Sequence, residues 1–184
     1  MNVIKTDIEG VLIVEPQVFG DSRGWFCETY NEERYRAAGI PARFVQDNQS
    51  FSTYGVVRGL HFQRPPFTQA KLVTCLKGEV LDVAVDLRKG SPTYGRHAAV
   101  RLSADNRRQL FIPKGFAHGF SVLSQTAVFS YKCDELYHPE ADGGISLLDD
   151  ALAIDWGVPA DKMILSEKDR RHPLLKDFET LWTM

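Results

Sequence analysis

No stretch of this 184-residue chain comes near an uninterrupted apolar run of the roughly 20 residues that a membrane-spanning helix needs. Cysteine is scarce. There are three, Cys27, Cys75 and Cys133, an odd number with no close pair, which fits neither a disulfide framework nor a zinc knuckle. Reduced thiols in a cytoplasmic protein are the expectation. The opening stretch MNVIKTDIEG has no apolar core of the kind a signal peptide carries. A basic excess is lacking too. The 22 Lys and Arg fall short of the 24 Asp and Glu, so no nucleic-acid partner is expected. A small anionic ligand stays open, because a few arginines in one pocket bind it without moving the global charge. Linkers, repeats and low-complexity tracts are missing as well, and the length suits a single domain over residues 1–184.

Helix signals are few. Asn31 suits an N-cap, Glu32 and Glu33 suit the first turn behind it, and Gly39 before Pro41 suits its end. A second helix is expected from about Ser166 onward. Most of the remainder has the look of strands. In residues 80–87, Leu81, Val83, Val85 and Leu87 alternate with Val80, Asp82, Ala84 and Asp86, a period of two with one wholly apolar face. Residues 70–76, 97–102, 108–112, 118–122 and 126–133 are further strand candidates, broken at Lys77-Gly78, at 89–92 and at 113–115. Many short strands with little helix between them point to an all-β sandwich or barrel.

Polar residues that demand an account gather in four places: Arg58 to Gln63, Lys71 at the head of an apolar run, Pro113 to Phe120 with His118 inside it, and Tyr131. Tyr131 shares a strand face with Ala127, Phe129 and Cys133, so its phenol is expected to point inward, where its hydroxyl needs a partner. Each has an ordinary packing account when taken alone. A lone histidine is usually a satisfied core residue, and a lysine at a strand end usually snorkels to water. Together they are harder to dismiss, because a closed barrel would bring all four around one cavity. Arg58 and His61 would face opposite sides of a regular strand, so both reach one pocket only if Gly59 makes a bulge or Arg58 precedes the strand.

The spacing Pro113-x-Gly115-x-x-His118 resembles the second motif of the cupin superfamily. That superfamily's first motif supplies a His-x-His pair and a glutamate as metal ligands. Here the corresponding stretch is His61-Phe62-Gln63, with Lys71 in place of the glutamate. A lysine ammonium has no lone pair and repels a cation. The resemblance therefore implies a cupin-type jelly-roll barrel without its metal, and no metal or organic cofactor is expected.

A finer likeness runs nearly the whole chain. Residues 21–28 (with Arg23 and Glu28), 46–50, 57–61, 69–72, 83–88, 112–120, 131–133 and 168–169 resemble, in order and at matching spacing, the dTDP-4-dehydrorhamnose 3,5-epimerase family. The resemblance implies His61 as the base, Asp169 as the carboxylate that orients it, Lys71 facing the sugar's C4 oxygen, and Tyr131 as proton donor. It implies Arg23, Glu28, Gln46, Asn48, Arg58, Lys71, His118 and Lys168 as substrate contacts. Asp142 stands where the family usually has a longer glutamate, and Leu136 where it often has an aromatic residue.

Such chemistry wants these groups. A hydrogen on C3 or C5 of a 4-keto sugar flanks the carbonyl, and its removal gives an enolate. Histidine titrates near neutrality and suits that step. Inversion needs a second group to return a proton on the other face of the ring. The expected substrate is thus a dTDP-4-keto-6-deoxy sugar and the expected assembly a homodimer, with residues 23–28 reaching toward the partner's pocket. Three other readings compete: an epimerase of C3 or C5 alone, a sugar-nucleotide-binding barrel without catalysis, and a metal-dependent cupin.

Overall fold

Alternation sends every second side chain of a strand to the same face, and two large sheets put those faces to use. The computed structural model describes residues 1–183. One sheet holds, side by side, the strands Asn2–Lys5, Leu12–Glu15, Gln109–Ile112, Lys71–Lys77, Thr126–Cys133 and Gln46–Thr53. The other holds His97–Ser103, Glu79–Asp86, Phe116–Val122, Val57–Gln63 and Asp142–Gly144. All pairings within these two sheets are antiparallel. This is the jelly-roll barrel that the cupin resemblance implied.

The core between the sheets is built from both. Val73, Cys75, Leu110 and Phe129 come from the first, and Val80, Ala84, Val100 and Phe120 from the second. The outer face of the second sheet is buried as well. Val83, Val85, Leu87 and Phe62 lie under Ile145, Leu147, Leu152 and Trp156 from the C-terminal third. The strand Glu79–Asp86 is therefore covered on both sides. Its apolar face looks away from the barrel interior, and the face bearing Asp82 looks into it. The first sheet has its own cover, where Tyr35 and Ile40 pack on Val14, Leu72 and Phe111.

The expected short helix is Glu32–Ala37. Asn31 caps it by accepting from the Arg34 N–H at 3.2 Å, and Gly39 leaves it at φ +92°. The helix expected from Ser166 onward does not form. Among the described residues, that region holds the 3-10 turns Asp169–Arg171 and Leu175–Asp177 and the two-residue strand Trp182–Thr183. Pro173 is the cause. It forces the residue before it out of the helical region, and His172 is extended at φ −65°, ψ 145°.

The strand Val57–Gln63 carries the expected bulge. It pairs His61 with His118 and Arg58 with Phe120, so three steps along it match two along its neighbour. Gly59 sits at the extra position with φ +136°, and a Cβ there would lie 2.6 Å from the Gly119 Cα. Both the backbone angle and the neighbour demand glycine. Gly59→Ala is expected to destabilise the protein by at least ~2 kcal/mol, a fall in melting temperature of about 4–8 °C for a chain this long. Thermal unfolding followed by circular dichroism checks it.

Candidate active site

Because of the bulge, Arg58 and His61 line the same cavity, in company with His118 from the adjacent strand. The opposing sheet contributes Lys71 and Tyr131 to that cavity. A second cavity of about 360 Å³ opens beside it and shares His61, Lys71 and Tyr131. Gln46, Asn48, Asp142 and Lys168 line its outer part. Registers explain the grouping. Tyr131 pairs with Asn48 on one side and Val73 on the other, and Lys71 pairs with Cys133.

His61 Nε2 lies 2.6 Å from Asp169 Oδ1, bridging two residues 108 apart in the chain. Asp169 is 4% exposed. Burial alone would raise its pKa, but the bond from His61 leads the opposing effects, with Ser166 and the Gly59 N–H behind it, and the carboxyl is held below its ordinary value. A carboxylate only accepts hydrogen bonds. Nε2 must therefore carry the hydrogen, which leaves the lone pair on Nδ1. Asp169 arrives on the 3-10 turn Asp169–Arg171, whose first N–H donates to Ser166 Oγ at 3.0 Å.

Lys71 stands with its Nζ 5.8 Å from the centre of the Tyr131 ring. Burial pushes its pKa down from the usual lysine range, and the charges of Asp82 and Asp142 work against that fall. Burial pushes the Tyr131 phenol up, so it keeps its proton at neutral pH. The Cys133 thiol beside them is pushed up to about 11 by burial and stays neutral.

His118 is buried and its Nε2 lies 2.9 Å from Asp82 Oδ2. Burial holds the imidazole below its ordinary pKa, although Asp82 pulls the other way. In the sequence Asp82 is one member of a strand's alternation, with no motif to set it apart as functional. Its side chain is fully buried, and its second oxygen, Oδ1, has no partner. An aspartate flanked on both sides by Val, Leu and Ala within a strand is the available signal.

Gln63, where a metal cupin would have its second histidine, is spent on structure. Its amide donates to the carbonyls of Phe67 at 2.7 Å and Leu136 at 3.0 Å, and its oxygen accepts from the His138 N–H at 2.6 Å. With Gln63 committed to that loop and Lys71 in the glutamate's place, the residues present do not fit the cupin metal set. Asp142 reaches the cavity despite being shorter than a glutamate. It pairs with Lys168 and accepts from the Tyr137 hydroxyl at 3.4 Å. Leu136 is 54% exposed and lends its carbonyl to Gln63 and Gln69. Arg23 and Glu28 are not brought to this cavity. Arg23 closes the hairpin of Val18–Asp21 and Gly24–Cys27 by pairing with Asp21 at 2.5 Å, and Glu28 pairs with Arg34 at 3.2 Å.

Residues 5–177 match the family model of dTDP-4-dehydrorhamnose 3,5-epimerase. The chain is 55% identical over 172 residues to the dTDP-4-dehydrorhamnose 3,5-epimerase of Escherichia coli K12, covering 93% of this chain and 92% of that one. A dTDP-4-dehydrorhamnose 3-epimerase of Streptomyces niveus is more distant, 43% identical over 171 residues, covering 92% and 82%. The crystal structure of the Legionella pneumophila dTDP-6-deoxy-D-glucose-3,5-epimerase in complex with dTDP-4-keto-L-rhamnose superposes with a TM-score of 0.92 at 52% identity, over 97% of this chain and 94% of that one. By sequence and fold, this chain belongs to the dTDP-4-dehydrorhamnose 3,5-epimerase family of isomerases.

Proposed function

We propose that this protein inverts C3 and C5 of dTDP-4-dehydro-6-deoxy-glucose, yielding dTDP-4-dehydro-L-rhamnose for dTDP-L-rhamnose synthesis. One observation carries the mechanism. A histidine on one sheet, paired with a carboxylate from the turn Asp169–Arg171, faces a protonated phenol on the other sheet, across a cavity that also holds a lysine.

His61 Nδ1 takes the proton from the carbon next to the keto group, and Asp169 stabilises the imidazolium that results. Charge moves to the C4 oxygen, where the Lys71 ammonium meets it. Preorganised groups of that kind are worth about 3–4 kcal/mol each when removed. Tyr131 returns a proton from the opposing sheet, so the new C–H forms on the opposite face of the ring. Burial keeps the proton on the phenol until the enolate needs it, and the phenolate left behind, which burial disfavours, is offset by the charge of Arg58. The Asp82–His118 pair lies behind Lys71, and the aspartate's charge helps keep the lysine protonated. Arg58 is our candidate for the diphosphate, and Gln46, Asn48, Asp142 and Lys168, which line the second cavity, are candidates for further substrate contacts.

A homodimer completes the site. The hairpin that carries Arg23 pairs only with itself and exposes Phe19, Trp25 and Phe26 at 56%, 60% and 68%. Apolar surface of that kind marks a contact region. The strand Gln46–Thr53, beside the cavity, is a sheet edge with Phe51 60% exposed, and an uncovered edge invites pairing. Reach of the hairpin to a partner's pocket would bring Arg23 and Glu28 to substrate. The three free cysteines support a reducing compartment, the cytoplasm. Among the described residues, no helix is long and apolar enough to cross a membrane.

Three outcomes are expected. In D₂O with the 4-keto sugar nucleotide, His61→Asn abolishes both inversion and deuterium uptake at C3 and C5, while dTDP still binds. Tyr131→Phe keeps the exchange but loses inversion by about a hundredfold or more. NMR of the sugar separates the two cases and tells double from single inversion. Normal inversion by a folded His61→Asn protein would sink the mechanism. Arg58→Ala raises the dTDP dissociation constant by about tenfold or more, since charge-assisted bonds contribute roughly 1.5–3 kcal/mol. Calorimetric titration reads it, and an unchanged constant makes this arginine structural. Light scattering at micromolar concentration gives twice the chain mass. A fully active monomer would refute the shared site.

A further inference from the structure

His172 stands beside the base without a part in the reaction described above. It follows Asp169 by three residues, and the turn between them brings its ring edge to face with that of His61, centroids 5.6 Å apart and planes at 89°. The ring lies against Gly144, where a Cβ would come within 2.4 Å of Cε1 and 2.5 Å of Nδ1. Glycine there leaves the space the imidazole fills. Its Nδ1 is buried and has no hydrogen-bond partner among the described residues. Buried polar atoms are nearly always paired, so this nitrogen is an orphaned donor or acceptor at the edge of the catalytic pair.

One possible ligand atom from each of His61, Asp169 and His172 lies within 4.8 Å of the other two. We propose that these three side chains form a binding site for a zinc-class divalent cation, and that the cation switches the enzyme off. Two imidazoles and a carboxylate are a donor set that suits such a cation, and three protein ligands leave a fourth position for water. The set is distinct from the lost cupin one, with which it shares only His61. Little movement is required. His61 Nε2 and Asp169 Oδ1 stand 2.6 Å apart, and two ligands of a tetrahedral zinc stand about 3.3 Å apart at bond lengths of roughly 2.0–2.1 Å. The cation takes the place of the hydrogen between them.

Inhibition follows from the tautomer, and this step rests on His61 being the base. A neutral imidazole has one N–H and one lone pair. In the working state Nε2 holds the hydrogen and Nδ1 the lone pair. A cation on Nε2 claims a lone pair there and drives the hydrogen to Nδ1, which then has nothing with which to accept a proton from the sugar. Asp169, now a ligand, no longer offsets an imidazolium.

Calorimetric titration of the chelator-treated, full-length protein with Zn²⁺ tests the site, with turnover measured on the same samples. The expected result is saturable binding of one ion per chain, loss of turnover in step with occupancy, and full recovery with EDTA. His172→Leu and His61→Asn each weaken zinc binding by roughly tenfold or more. The His172→Leu protein, scaled to its own metal-free rate, needs correspondingly more zinc for inhibition. His172→Asn, which keeps a polar side chain, supplies the comparison if leucine upsets folding. Absence of saturable binding at millimolar zinc overturns the site, as does binding that neither histidine substitution weakens. Binding that depends on His172 with turnover unchanged overturns the switch, and with it the base role of His61 rather than the cation site.

Discussion

The extra residue at Gly59 is the constraint on which the site depends. A regular strand would send Arg58 and His61 to opposite faces, one to the cavity and the other under the C-terminal cover. The bulge turns both inward, and the N–H of Gly59 then points to the carboxylate of Asp169. One backbone irregularity thus positions His61, aims an arginine into the same cavity and helps hold the Asp169 carboxyl below its ordinary pKa. Gly119, opposite it on the neighbouring strand, has the same need for space: a Cβ there would lie 2.6 Å from the Arg58 carbonyl oxygen.

Around that point the two sheets divide the charges. The sheet that carries His61 also carries Asp82 and His118, while Lys71 and Tyr131 come from across the barrel. His61 and Tyr131 thus face the shared cavity from opposite sheets. Burial sets the protonation states in the same sense throughout. It disfavours the charged forms of Tyr131, His118, Cys133 and Lys71 alike, with Asp82 and Asp142 opposing the fall at Lys71, while hydrogen bonds hold the Asp169 carboxyl below its ordinary value.

The barrel was legible in the sequence because period-two alternation with glycine breaks survives in most of its strands. The segments read as strands at 97–102, 108–112 and 126–133 lie within one residue of His97–Ser103, Gln109–Ile112 and Thr126–Cys133. The helix at Glu32–Ala37 was legible through its cap. The expected C-terminal helix failed because periodic apolar residues there obey tertiary cover rather than helix packing, and Pro173 overrides the pattern. His61, Lys71, Tyr131 and Asp169 were legible through resemblance and chemistry together. Asp82 was not, because a strand buried on both faces gives no sequence sign of which face looks into the cavity. His172 was not either, since its place depends on a turn and on the missing side chain of Gly144.

The pairing of His61 with Asp169 joins the sixth strand in chain order to a turn near the C-terminus. On a ribosome, strands through Cys133 emerge and can pair well before that turn is made. The barrel's framework therefore precedes its chemistry. A chain halted after its main strands would hold His61 without its carboxylate, and the pair is complete only once the later turn has been made.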